Sequence, residues 1–223
     1  MTDPIRRMER RAPRSVGVAG IVFSALFIAS VLAASARPPD GLDDAGLVAW
    51  FEANAMLPTT ISALYLAPFA GIAFLWFIGV IRARVGAHED QLFATVFMGS
   101  GLLFVGMYWA AAAQLAGLVA GNRFDAAPPL SAGNLESVRS AAFSFLFVLA
   151  SRAAGVFVLV TTTITWRSRT FPRPLGLVGY GIAIVMLLSV SFLQWIVLLF
   201  PAWVFLVSLY VLIAEVREPG VRA

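Results

Sequence analysis

The apolar run from Leu175 to Ala214 constrains the fold most, because it is too long for a single membrane crossing. As one helix, its forty residues would reach about 60 Å, twice the thickness of the hydrocarbon core of a bilayer. Its only polar interruption lies at Ser191, Gln194 and Trp195, and Pro201 follows soon after. We therefore expect the chain to fold back at this interruption, so that the run forms two membrane helices.

Four more apolar segments precede this run, and each is long enough for the roughly twenty residues that a helix needs to cross a bilayer. Hydrophobic residues make up 60% of the 223 residues and charged residues only 13%, too few for the surface of a water-soluble protein. The sequence predicts an all-α, polytopic membrane helix bundle with six transmembrane helices. This domain covers 16–214, between a basic tail at 1–15 and a second tail at 215–223, with helices at about 16–34, 58–81, 92–120, 141–166, 175–193 and 196–214.

The placement of the basic residues, which are all arginine, predicts the orientation of the bundle. Only Arg37, Arg123 and Arg139 lie in the first, third and fifth loops, and cytoplasmic loops carry the excess of arginine in membrane proteins. We therefore expect a multi-pass membrane protein with both termini in the cytoplasm. Twelve of the sixteen arginines lie in the two tails and in the second and fourth loops, at Arg6, Arg7, Arg10, Arg11, Arg14, Arg82, Arg84, Arg167, Arg169, Arg173, Arg217 and Arg222.

The arginines flank the apolar segments instead of forming one basic patch, so we expect the lipid bilayer, and no nucleic acid, as the partner. In the fourth loop, Arg167, Arg169 and Arg173 can contact anionic lipid headgroups, at about 1 kcal/mol each. Pro172 and Pro174 are expected to end helix four at this loop.

The first apolar segment has a second interpretation, as a secretory signal. It follows a basic tail, and Ala34-Ser35-Ala36 is typical of a small-residue cleavage site. Its apolar stretch is longer than the roughly 7–15 residues of most signals, which favours a membrane helix. Cleavage would leave five crossings with the N-terminus outside, an arrangement that the arginines also fit.

The first outer loop is acidic and contains a candidate short helix. Asp43 or Asp44 is a suitable N-cap, and Leu47, Trp50 and Phe51 follow at helical spacing. This apolar face predicts a helix that lies on the outer membrane surface, and a solvated loop is the alternative.

The third loop, from Asn122 to Ser137, contains Pro128, Pro129 and Gly133. Because these residue types interrupt regular structure, we expect an irregular connection there. No other stretch is long and polar enough for a soluble domain.

Small residues recur on one face of several predicted helices. Gly106, Gln114 and Gly117 share a face of helix three, and Gly176 and Gly179 share a face of helix five. Small residues let membrane helices approach closely, so both faces are expected to be buried between helices.

Arg152 lies near the middle of the fourth apolar segment, where an ionisable group costs at least about 2.5–3.5 kcal/mol. Counted from the predicted outer end of its helix, it lies roughly 15 Å deep, at a level similar to Pro68 on helix two. Pro68 cannot bond the carbonyl of Leu64, and Gln114 of helix three lies about 10 Å below the same surface. We expect Arg152 to reach the Leu64 carbonyl and the Gln114 side chain, with Tyr65 as a further candidate.

Two main interpretations of Arg152 follow, because a buried arginine keeps its charge and no Asp or Glu lies in a predicted membrane core. In the structural one, Leu64, Gln114 and nearby hydroxyls hold the guanidinium. In the functional one, Arg152, Gln114 and Tyr65 line an outward-opening cavity and bind an anionic solute or lipid headgroup. A third interpretation is an arginine that faces lipid and extends to the membrane surface.

The chain lacks the residues that most catalytic and metal sites need. It has no cysteine, and its single histidine, His88, lies in a cytoplasmic loop beside Glu89 and Asp90, so we expect no metal and no cofactor. Ser100 lies in a Gly-Ser-Gly sequence similar to that of intramembrane serine proteases, but no histidine lies in the membrane to act as its base. We therefore expect no catalytic residues and no enzymatic activity.

The stretch from Trp166 to Tyr180 contains a basic turn, Phe171-Pro172-Arg173, followed by Leu175, Gly176 and Gly179. It resembles the turn between helices four and five in an uncharacterised family of six-helix bacterial membrane proteins. That family has no established activity, so the resemblance implies no mechanism. It implies the six-helix architecture and a location in the bacterial cytoplasmic (inner) membrane. We expect a non-catalytic accessory or scaffolding membrane protein, or alternatively a binder or carrier of a small anionic or amphipathic molecule.

Overall fold

The computed structural model describes residues 12–85, 91–124, 130–168, 172–189 and 194–217, and all regular structure in these ranges is helical. His88, Arg169 and Phe171, the first residue of the basic turn, lie outside them. The α-helices are α1 (Ala12–Ala34), α2 (Asp44–Trp50), α3 (Met56–Ile61), α4 (Ala67–Val85), α5 (Gln91–Phe124), α6 (Ala132–Phe143), α7 (Ser151–Arg167), α8 (Arg173–Leu188) and α9 (Leu199–Arg217). Three π-helical turns and one 3₁₀ turn supplement them, at Phe51–Ala55, Ser62–Leu66, Ser144–Ala150 and Gln194–Leu198.

Five stretches of helix are long and apolar enough to cross a membrane, which agrees with the predicted membrane bundle. The sixth predicted crossing corresponds to α8, whose sixteen residues reach only about 24 Å. The five long stretches are Gly17–Ala34, Asp44–Arg82, Leu92–Ala120, Ala132–Arg167 and Trp195–Ala214.

The chain folds back earlier than the sequence predicts. The predicted helix at 175–193 is too long, because α8 ends at Leu188 and Ser189 has extended backbone angles. The expected polar interruption at Ser191 lies outside the described residues. A 3₁₀ turn over 194–198 then leads into α9, where Pro201 lies in the first turn, a position that tolerates a missing N–H.

The second and fourth long stretches, Asp44–Arg82 and Ala132–Arg167, are here called helix two and helix four. Both are much longer than the predicted spans, and both extend at the end of the bundle opposite Arg82 and Arg167, here called the distal end. The helical stretch at 132–167 reaches about 54 Å, well beyond a core of about 30 Å. The irregular connection expected over 122–137 is wrong at both ends, because α5 continues to Phe124 and α6 begins at Ala132. Ser131 caps α6 by accepting a hydrogen bond from the Asn134 amide.

The short helix predicted in the first outer loop is present as α2, and Asp43 is its N-cap, with its side chain 2.8 Å from the Gly46 amide. Its expected location on the membrane surface is wrong. Phe51, at the end of α2, is only 1% exposed and packs in a cluster with Leu118 of α5 and Leu135 of α6. The apolar face therefore packs against protein, and helices two and four form a layer at the distal end.

Phenylalanine rings from five helices form the centre of the bundle. The Phe74 ring of α4 lies 4.8 Å from Phe23, 5.1 Å from Phe104, 5.2 Å from Phe157 and 5.3 Å from Phe200, measured between centroids. All five side chains are fully buried. Close packing of this kind stabilises membrane helices, which gain little from the hydrophobic effect within lipid. Since Phe23 belongs to α1, the first apolar segment is an integral part of this core.

Small residues join α8 to the bundle, as expected for helix five. A side chain at Gly176 would collide with Trp166, and one at Gly179 would collide with Thr162. The expectation for helix three is wrong, because the positions where a side chain would extend from Gly106 and Gly117 face open space. That face of α5 is on the outside of the bundle.

Candidate functional site

Arg152 lies in the first turn of α7 and donates three hydrogen bonds to backbone carbonyls. Its Nη1 lies 3.4 Å from the Phe147 oxygen and 3.3 Å from the Val148 oxygen. Its Nη2 lies 3.1 Å from the oxygen of Ser189, the residue that follows α8. Arg152 thus links helix four to the end of helix five.

The contact with Ser189 accounts for a charge at this depth. A helix that ends within the membrane leaves its last carbonyls without helical partners, and lipid offers none. Arg152 lies fifteen residues from Arg167, about 22 Å along the helix, and Ser189 lies about 24 Å from Arg173 by the same measure. Both groups are therefore near the distal boundary of the hydrocarbon core, and the structural interpretation of Arg152 is favoured.

The three residues proposed from sequence as a binding site are not joined by these bonds. These three bonds go to the carbonyls of Phe147, Val148 and Ser189, and none of them goes to the Leu64 carbonyl or the Gln114 side chain. Tyr65 is 59% exposed, and Gln114 is exposed as well. The depth estimate was wrong because helix four begins at Ala132, nine residues before the predicted end, and because Gln114 shares the outer face of α5.

A cavity of about 120 Å³ lies at the distal end, between α1, helix two, α5 and helix four. Its polar lining consists of Ser30, Ser62 and Tyr108 at one end and of Arg37 and Arg139 at the other, together with Ser35. None of Arg152, Gln114 and Tyr65 lines it. The apolar lining consists of Val31, Ala34, Ala67, Ala111, Ala112, Leu115, Ala142, Phe143, Leu146 and Phe147.

The inner end of the cavity is formed by Ser30, Ser62 and Tyr108, all at most 3% exposed. Ser62 donates to the Ser30 carbonyl at 2.9 Å, and the two serine oxygens are also 2.9 Å apart. Because the Ser62 proton is used on the carbonyl, Ser30 is the donor between the hydroxyls. The Tyr108 hydroxyl lies near Ser30 but has no well-formed hydrogen bond among the described residues. A buried hydroxyl in this state favours a ligand or water as its partner.

The other end of the cavity carries Arg37 and Arg139. The Nη2 of Arg139 lies 2.8 Å from the Ala36 oxygen, which holds this side chain over the end of α1. Arg139 is partly buried, and the positive charge of Arg37 is close enough to act on it unfavourably. An anion between them would offset this repulsion, and the planar guanidinium suits carboxylate and phosphate oxygens.

A second groove, of about 330 Å³, meets the cavity at Arg37. The two share Val31, Ser35, Arg37 and Phe147. The groove continues between α1 and the 3₁₀ turn before α9, where Leu32, Trp195 and Leu198 complete its lining. It opens on the side of the bundle.

The cavity lies at the boundary of the hydrocarbon core. Ser62 is twenty residues from Arg82, and Phe147 is twenty residues from Arg167, so each is about 30 Å along its helix from the arginine-rich end. That distance equals the usual thickness of the core. The apolar part of the cavity is therefore at lipid depth, and Arg37 and Arg139 are at the level of the headgroups.

Sequence reasoning does not select Arg37, Arg139 and Tyr108, which line the cavity, as candidate site residues. In the sequence the two arginines are loop charges, and they approach each other only through α6, most of which lies before the predicted helix at 141–166. One signal is present, because Ser30 and Ser62 are each four residues from the outer end of their predicted helix, at the same height. Hydroxyl groups are common in membrane helices, so this signal alone did not indicate a site.

Ser100 of the Gly-Ser-Gly sequence is buried and donates to the Phe97 carbonyl of its own helix at 3.2 Å.

Comparison with protein-family models, curated proteins and solved structures gave no match to this chain. The resemblance of the turn at 166–180 to an uncharacterised family therefore has no further support. The site has to be interpreted from its own chemistry.

Proposed function

We propose that this is a non-catalytic integral protein of the bacterial cytoplasmic membrane that binds an anionic group between Arg37 and Arg139. Six crossings place both termini in the cytoplasm, and the distal end faces outward. The excess of arginine at the opposite end supports this orientation. The binding site then opens towards the outer surface of the membrane.

The observation that carries the proposal is the composition of the cavity. Two arginines stand at one end, and the buried Tyr108 hydroxyl, without a well-formed bond to the described residues, lies at the other. The residues that line the cavity include these two arginines and no aspartate or glutamate. A carboxylate or phosphate is complementary to this lining in charge and geometry, and an attached polar atom or a water molecule can reach Tyr108.

An accessory or scaffolding role is the second candidate, and the bond between Arg152 and Ser189 favours it. In this role Arg152 stabilises the bundle and binds no ligand. At the cytoplasmic end, the Arg167 guanidinium lies 4.8 Å from the Phe93 ring centroid, and with Arg169 and Arg173 it is proposed to contact anionic lipid headgroups. The two roles are compatible, because they use separate arginines.

The proposed binding is tested by thermal unfolding of the protein in nanodiscs of zwitterionic lipid. Acetate and inorganic phosphate are titrated at constant ionic strength, because a ligand specific for the folded state stabilises it by about 2.7 kcal/mol at one hundred times its Kd. We expect a saturable rise of the unfolding midpoint. The rise should be lost in the double variant Arg37→Gln, Arg139→Gln and kept in Arg173→Gln, which removes an exposed arginine at the other end.

Two results would contradict the proposal. One is the absence of any saturable anion effect on the unmodified protein. The other is an equal effect in the double variant, because a general salt effect does not need the arginines.

A further inference from the structure

We infer that the occupant is a single-chain anionic amphiphile, with its carboxylate or phosphate between Arg37 and Arg139 and its hydrocarbon chain in the lateral groove beside Trp195. This inference rests on the proposed function and adds the class of ligand. The head is bound by charge, and the chain is bound by apolar contact.

The size of the cavity indicates where the hydrocarbon chain of the ligand lies. A cavity of about 150 Å³ holds a molecule as small as benzene, so the 120 Å³ here accommodates a head and a few atoms. A longer chain has to leave it, and the groove of about 330 Å³ begins at the same Arg37, Val31 and Phe147. The two spaces together suit a polar head and an extended chain.

The surroundings of the groove indicate that the chain comes from the bilayer. Leu32 is 55% exposed and Trp195 is 70% exposed, and both lie on the side of the bundle near the distal boundary of the core. Tryptophan is enriched at this level in membrane proteins. An amphiphile in the outer leaflet can therefore insert its chain sideways while its head stays at the level of the arginines.

The spaces next to the cavity favour a ligand with one hydrocarbon chain over a lipid with two. A third opening, of about 230 Å³, also reaches Arg139, but it lies in the distal layer between Trp50, Phe51 and Leu135, and Glu136 lines it. Its location above the core and its carboxylate make it unsuitable for a second hydrocarbon chain. The groove that begins at Arg37 is at lipid depth, and its size suits one chain.

The test uses a series of alkyl carboxylates, namely acetate, butanoate, hexanoate and octanoate, with the protein in nanodiscs of zwitterionic lipid. Binding is measured by equilibrium dialysis, and the amount that partitions into empty nanodiscs is subtracted. Each methylene that enters the groove should raise the affinity, measured against the carboxylate free in water, about fourfold until the groove is filled. The head is the same throughout, so the series isolates the chain.

Two variants with the same substitution identify the groove. Leu32→Trp places a larger side chain in its lining, so acetate should still bind while the dependence on chain length is lost. Leu177→Trp adds the same side chain at a position on α8 that is 64% exposed, and the dependence should be kept. The double variant Arg37→Gln, Arg139→Gln should bind no member of the series specifically.

The outcomes separate this inference from the proposed function. If acetate binds through the arginines and octanoate binds no better, the inference is overturned and the anion site remains. If affinity rises equally with chain length in Leu32→Trp, the chain does not use the groove, and the inference is again overturned. If no carboxylate binds specifically, the proposed function fails as well.

Discussion

The Nη2 atom of Arg152 lies 3.1 Å from the carbonyl oxygen of Ser189, so a charged side chain of α7 bonds the backbone that follows α8. This bond explains two unusual features together. It gives a partner to an arginine below the membrane surface, and it allows a helix of sixteen residues to end there.

Arg152→Leu should lower the free energy of unfolding by about 1–3 kcal/mol, because the Ser189 carbonyl is left without this donor. Arg152→Gln should lose less, since its amide keeps donors. Unfolding in a denaturing detergent measures the difference, and anion binding should stay unchanged in both variants. An Arg152→Leu protein more stable than the parent would mean that removing the charge outweighs the loss of the bond.

Ser62→Ala should destabilise the bundle by about 0.6 kcal/mol, the average for a hydrogen bond between membrane helices, and by at most about 1.7 kcal/mol. Ser62 is the donor to the Ser30 carbonyl of α1. Ser144→Ala is the control, because Ser144 is exposed and bonds only within its own helix, to the Ser140 carbonyl. If both changes have equal effects in the same unfolding assay, the bond between the helices contributes nothing measurable.

Gly179→Ala should cost about 1–3 kcal/mol, because the added methyl group would collide with Thr162 and lie 3.0 Å from Trp203 Nε1. Gly181→Ala, two residues later on the same helix, faces open space and should be neutral or stabilising by up to about 1 kcal/mol. The pair is compared by unfolding midpoint. A harmless Gly179→Ala would indicate that α8 packs less closely on α7 and α9 than described.

Much of the fold followed from the sequence, because apolar length reports on contact with lipid. Each of the five long apolar stretches coincides with or contains a predicted helix to within a residue or two. The beginning of α6 at Ala132 was not predicted, since a helix above the membrane needs no apolar sequence, and the cap at Ser131 was the only local signal. The end of α8 at Leu188 was also missed, because it depends on the tertiary contact with Arg152.

The candidate site was less predictable than the fold for a related reason. Arg37 and Arg139 are far apart in sequence, and they approach only because α6 extends above the membrane and bonds Ala36. Hydropathy reports which residues enter lipid and gives no information on which loops meet. The choice of Arg152 followed from its depth, and depth alone does not distinguish a structural charge from a binding one.

The orientation predicts that the loop around residue 88 and the loop around residue 125 lie on opposite sides of the membrane. A phosphatase reporter, active only outside, should be active when fused near 125 and inactive near 88. Equal activity at both positions would contradict the six crossings on which the depth of the cavity depends.

The central claim is that an outward-facing cavity binds an anion between Arg37 and Arg139, and thiol labelling tests it most directly. The chain contains no cysteine, so Ser35→Cys, at an exposed position that lines both the cavity and the groove, would be its only thiol. In intact cells, a membrane-impermeant maleimide should label this thiol, and octanoate should slow labelling severalfold unless Arg37 and Arg139 are both glutamine. Labelling only after the membrane is opened, or labelling that octanoate slows equally without the two arginines, would contradict the account.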